Sequence, residues 1–153
     1  MFFWGILYFF VLFFLVKISI SDCVSRTVKH FDLSCLTVLL LLSWIYQPNY
    51  QILTTSLVLL GIGFVLHCFG VLGAGDTKLI VVLTLGVSPE MMPIMLYGTA
   101  FFGGCLVLVF LAYGLVVGMS KVRDKGLPFA VPICMSGSLA IFFSYLSWFD
   151  LHS

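Results

Sequence analysis

MFFWGILYFFVLFFLVKISI, residues 1–20, decides the class of fold. Met1 to Val16 is an unbroken apolar run, and Ile18 and Ile20 carry it past Lys17. It has no basic start, its apolar core is too long and no small-residue cleavage site follows, so it reads as a retained membrane span and not a secretory signal. The rest of the chain repeats the theme. Of 153 residues, 62% are hydrophobic, 16% aromatic and 8% charged, with a mean hydropathy of +1.23. A soluble domain carries roughly 25% charged residues, so this chain could not cover a globular surface. Disorder, coiled coil, collagen and nucleic-acid binding through a basic face are excluded by the same arithmetic.

Outward from the first span, polar residues gather between Ser21 and Asp32. Further apolar runs cover 33–46 and 52–72, separated by the turn signal Gln47-Pro48-Asn49. A short run to Val87 follows Gly73-Ala74-Gly75-Asp76-Thr77-Lys78 and is broken by Ser88-Pro89-Glu90. Long runs at 91–119 and 127–149 flank a basic loop containing Lys121, Arg123 and Lys125. Backbone in lipid is satisfied only by helices or closed barrels, and the runs lack the alternation of barrel strands. The expectation is an all-α integral membrane protein, one polytopic bundle of six helices over residues 1–153. The approximate spans are 2–20, 33–46, 52–72, 77–88, 91–119 and 127–149.

With six spans, all seven Lys and Arg residues (Lys17, Arg26, Lys29, Lys78, Lys121, Arg123, Lys125) fall on one side. Cytoplasmic loops collect Lys and Arg, so both termini are expected outside the cytoplasm. The five cysteines are scattered, with no C-x-x-C pair, and fit neither a disulfide framework nor a zinc site.

Two of the six acids stand out by position. Asp22 lies at the cytoplasmic end of span 1 and Asp76 at the cytoplasmic start of span 4. A helix over 76–87 reaches only ~18 Å, against a hydrocarbon core of ~30 Å, which sinks one of its ends below the interface. An ionisable group there is costly and is a functional candidate by default. Gly73 and Gly75 permit positive φ and close backbone approach, so a substrate chain can lie against the carboxylate. Two carboxylates brought together share one proton; one is then the base toward water while the other polarises a carbonyl. That is aspartic-protease chemistry, and it requires no metal or cofactor.

At these residues the chain resembles the type IV prepilin peptidases, membrane aspartyl proteases of the Gly-x-Gly-Asp class. Gly73-Ala74-Gly75-Asp76-Thr77-Lys78-Leu79 matches the family's second-aspartate motif, Asp22 corresponds to its first aspartate, and Leu127-Pro128-Phe129 looks like its last-helix element. The resemblance runs through the chain in span order, as in short single-domain members. It departs at Val28-Lys29-His30, where the family carries Ile-Pro-Asn, and in lacking the paired-cysteine cytoplasmic domain and with it the basis for N-methylation.

The resemblance implies an endopeptidase that removes the basic leader of prepilin-like proteins at the cytoplasmic face of the bacterial inner membrane. Asp22 and Asp76 are catalytic on this reading, and Gly73, Gly75 and Lys78 position the substrate. The implied partners are a prepilin-like substrate and membrane lipids, with no nucleic acid, cofactor or metal. Lys78 could equally snorkel to headgroups. Asp32 reads as an ordinary helix-start acid and His67 as a packed, hydrogen-bonded side chain. The competing readings are a small ion-coupled transporter or channel subunit built on the broken span at Gly75-Asp76, and a non-catalytic scaffold of pilus assembly.

Overall fold

The structure is a computed structural model that describes residues 2–25, 29–46, 50–69, 73–117 and 127–152. Among these residues there are six helices and no strands: α1 (Phe2–Ser25), α2 (His30–Tyr46), α3 (Gln51–Cys68), α4 (Ala74–Thr84), α5 (Met92–Val117) and α6 (Ala130–His152). Arg26, Val28, Lys121, Arg123 and Lys125 lie outside the described residues.

Three of the helices are long and apolar enough to cross a membrane, at Trp4–Ser25, Met92–Leu115 and Ala130–Ser147. α2 and α3 contain shorter apolar stretches, His30–Ile45 and Thr54–Val65. α4 has 11 residues and spans only about 16 Å. Two boundaries differ from the sequence reading in a way that matters for the site. α1 runs past Ile20 to Ser25, so Asp22 is a helical residue, and α2 begins at His30, so Asp32 lies within its first turn and not just ahead of it. A polar residue does not end a helix whose buried face continues through it.

That face is easy to trace on α1. Trp4, Leu7, Val11, Leu15 and Ile18 recur at three- and four-residue spacing and are buried, as one face of a 3.6-residue helix must be. Phe9, Phe13, Ile20 and Val24, on other faces, are exposed apolar groups. A helix that is apolar all round has no solvent face to offer, which is the pattern of a membrane span. The buried stripe meets Leu36 and Leu40 of α2, Leu79 and Leu83 of α4, and Ile133 and Ile141 of α6 in one core.

α1 packs between α2 and α6, α5 packs on α6, and α4 rests on α3 while also touching α2 and α6. Small residues allow the closest approaches. A Cβ on Gly137 of α6 would stand 2.7 Å from the Leu83 side chain of α4. Hydroxyl groups tie helices together where no water competes: Ser43 of α2 with the Tyr145 hydroxyl of α6 at 3.2 Å, and Thr99 of α5 with Ser136 of α6. The Ser88 N–H, in the turn after α4, donates to Ser144 Oγ at 3.0 Å.

Candidate active site

Asp22 occupies the next position of the α1 stripe, four residues beyond Ile18. The register that buries Leu15 and Ile18 therefore also turns this carboxylate into the bundle, where it is 7% exposed. Its Oδ2 accepts a hydrogen bond from the backbone N–H of Ala130 at 3.1 Å. Ala130 is the first residue of α6, so the donor is one of the N–H groups that a helix start leaves without an intrahelical partner. The positive end of the α6 dipole faces the same carboxylate. Leu127-Pro128-Phe129 sets where α6 begins, and hence where that donor points.

Asp76 arrives from α4. It lies three and seven residues before Leu79 and Leu83, both fully buried, so it too extends a core-facing stripe. Gly73 is the N-cap residue, with φ −70° and ψ 144°. The Asp76 carboxylate folds back to accept a hydrogen bond from the Gly73 backbone N–H, the geometry of the acidic half of a capping box. Gly73 therefore does not use a positive φ. Its lack of a side chain supplies room: an added Cβ would lie 2.8 Å from Asp76 Oδ2. Gly75 sits half-buried in the same first turn.

The carboxylates of Asp22 and Asp76 lie within Coulombic reach of each other. Cys134 of α6, one turn beyond Ala130 and 4% exposed, shares a hydrogen bond with Ser19 and feels the charge of both aspartates. α1, α4 and α6 thus converge at one end of the bundle on two acids, each held by a backbone N–H. Ser19, Ala130 and Cys134 are the neighbours that sequence reading passed over. The signal for Ala130 was present in Pro128, since proline marks helix starts, but nothing local ties residue 130 to residue 22.

Asp32 has a partner of its own. Only 2% exposed, it accepts a 2.6 Å salt bridge from Lys17 Nζ through Oδ1. Lys78 and His67 line an apolar groove between α3 and α4 that also includes Ala74 and Thr77. No group of three or more His, Cys, Asp or Glu residues that could hold a metal ion occurs among the described residues.

A model of the type IV leader peptidase family (Peptidase A24) matches residues 9–108. That stretch starts inside α1, ends inside α5 and contains both aspartates and the whole Gly73–Lys78 segment. The chain belongs to this family. No curated protein and no solved structure matches it. Family membership, together with three helices of membrane-crossing length, makes the chain a membrane protein of a leader-peptidase family whose members are aspartic-type proteases and whose substrates are prepilin-like proteins.

Proposed function

We propose that the chain is an aspartic endopeptidase of the bacterial inner membrane. It removes the short basic leader of a prepilin-like protein, with Asp22 and Asp76 as the catalytic pair. The observation that carries this reading is the meeting of the two acids from α1 and α4 at one end of the bundle. Like charges at close range do not both ionise cheaply, so the pair shares a proton. The ionised member removes a proton from a water molecule, whose oxygen adds to the scissile carbonyl carbon. The protonated member donates a hydrogen bond to the carbonyl oxygen as negative charge develops there. Collapse of the tetrahedral adduct breaks the C–N bond, and the departing amine takes up the proton.

The N–H groups of Ala130 and Gly73 hold the two carboxylates so that little reorganisation accompanies the reaction. Gly73 and Gly75 place no side chain on either side of Ala74 at the start of α4, letting an extended substrate backbone approach Asp76. Both termini lie outside the cytoplasm on this reading, which puts the two aspartates at the cytoplasmic face. The leader's positive charge holds the cleavage site on that side.

Co-expression with a cognate prepilin tests the assignment. Asp22→Asn and Asp76→Asn each leave the substrate at precursor size on a gel, while the unaltered chain shortens it. Full processing by either variant overturns the assignment. A transporter reading instead predicts that no pilin changes size with any variant, and a scaffold reading predicts that both aspartates are dispensable.

A further inference from the structure

The groove between α3 and α4 has a volume of about 410 Å³, within the range of sites that hold small amphiphilic molecules. Its walls include Leu33 of α2, Leu60 and Phe64 of α3, and Val81 and Val82 of α4. Lys78 and His67 close one end, the end at which α3 finishes and α4 begins. Lys78 is exposed, and it makes no salt bridge among the described residues. The groove is therefore a cationic mouth opening onto an apolar channel.

Helical geometry separates this groove from the aspartate pair. At roughly 100° per residue, Ala74, Thr77, Lys78 and Val81 project from the side of α4 opposite Asp76, Leu79 and Leu83. The Thr77 hydroxyl donates to the Gly63 carbonyl of α3 at 3.5 Å, holding α4 against α3 at the base of the groove. A peptide lying in the groove would have the full ~10 Å thickness of α4 between it and the Asp76 carboxylate. A segment seated there cannot present its own bond to that acid.

We propose that this groove is a binding site for an anionic phospholipid of the leaflet in which the Lys78 end lies. One acyl chain lies along Leu60, Phe64, Val81 and Val82, and the phosphate pairs with the Lys78 ammonium. The chemistry is that of basic pockets between membrane helices, where a lysine near the headgroup plane contributes attraction to anionic lipid. The site requires an amphiphile with one negative end, which matches Lys78, the one Lys or Arg among the described residues that line the groove, and the apolar wall behind it. This inference does not depend on the protease reading and stands or falls separately from it.

Native mass spectrometry of the full chain, delipidated in neutral detergent and titrated with phosphatidylglycerol or with phosphatidylcholine of the same acyl chains, tests the site. The unaltered chain retains phosphatidylglycerol about fivefold more strongly, the effect of one lysine near a headgroup. Lys78→Gln abolishes that preference while leaving residual binding of both lipids. Leu60→Trp, which fills the channel without touching the charge, weakens retention of both. Circular dichroism confirms that each variant keeps its helix content. Equal retention of the two lipids by the unaltered chain overturns the proposal, as does a preference that survives both substitutions. Displacement of bound phosphatidylglycerol by a prepilin's apolar segment also overturns it and assigns the groove to the substrate.

Discussion

Asp22, at the end of the first helix, is anchored by the backbone N–H of Ala130, the first residue of the last helix, at 3.1 Å. The contact joins residues 108 positions apart and makes the start of α6 part of the site. It also separates two properties of Asp22 that a substitution can test independently. An asparagine oxygen still accepts the Ala130 hydrogen bond, so Asp22→Asn preserves the α1–α6 junction but cannot exchange a proton with water. The expected result is a fall in prepilin cleavage of about 10³-fold, in the range lost with a general acid–base group. Thermal unfolding in detergent stays within about 1 kcal/mol of the unaltered chain. Asp22→Leu, which removes the acceptor as well, loses both activity and stability. An Asp22→Asn protein that cleaves at near-normal rates ends the proposed role.

Gly73 gives a sharper geometric test. Its backbone angles suit alanine, so Gly73→Ala strains nothing in the chain itself. The added methyl group would nevertheless lie 2.8 Å from Asp76 Oδ2, and the carboxylate must rotate away. A displacement of about 1 Å at a reacting group costs on the order of 10²-fold in rate. The expected outcome is that loss in kcat with unchanged helix content, read from cleavage kinetics of a detergent-solubilised prepilin. A fully active Gly73→Ala protein would show that the observed Asp76 rotamer is not the working one.

These two residues also show how far the sequence could be read. Asp22 and Asp76 stand out in the sequence as acids at span ends on the basic side, one of them behind Gly73-Ala74-Gly75; the structure adds that each prolongs a stripe of buried residues, Leu15 and Ile18 before one and Leu79 and Leu83 after the other. The all-helical architecture followed from apolar run length. The actual use of Gly73 was not legible: a glycine before an acid suggests backbone freedom, whereas here the side chain it lacks would occupy the space of a neighbouring carboxylate. Ala130, Cys134 and Ser19 were missed because their roles depend on how α1 and α6 are placed together, which no local spacing encodes. Asp32, a helix-start acid by its place in the sequence, lies in the first turn of α2. Its partner Lys17 is 15 residues away on another helix.

That pair carries the third prediction. Lys17 Nζ meets Asp32 Oδ1 at 2.6 Å, with Asp32 2% and Lys17 48% exposed, and Asp32 Oδ2 has no hydrogen-bond partner among the described residues. Removing the cation leaves a buried carboxylate uncompensated, which is more costly than never having had the pair. Lys17→Met is expected to destabilise the protein by about 1.5–3 kcal/mol, the scale of a charged hydrogen bond. Lys17→Met with Asp32→Leu recovers most of that loss, because the stranded charge is gone. Thermal melts of the two variants in one detergent make the comparison. Asp32→Asn should still process prepilin, separating this acid from Asp22 in function; loss of cleavage with an unchanged melting temperature would instead place Asp32 in the chemistry.

Membrane orientation is the last prediction, and it follows from charge and from helix ends together. The C-terminal end of α1 and the N-terminal end of α6 meet through Asp22 and Ala130, and the N-terminal end of α4 joins them through Asp76. Lys29 immediately precedes α2 and Lys78 stands in the first turns of α4, so the described basic residues around these junctions mark the same end of the bundle. Lys and Arg collect on the cytoplasmic side, and a reversed chain would have to carry all seven across the membrane. Alkaline phosphatase fused after Ser153 is therefore expected to be active and a green fluorescent protein fused there dark. The same reporters inserted between Lys121 and Lys125 should give the opposite readings. Reversal of the readings at both positions, with green fluorescent protein bright after Ser153 and dark between Lys121 and Lys125, would put Asp22 and Asp76 on the outer face, where a leader retained by its positive charge in the cytoplasm could not reach them.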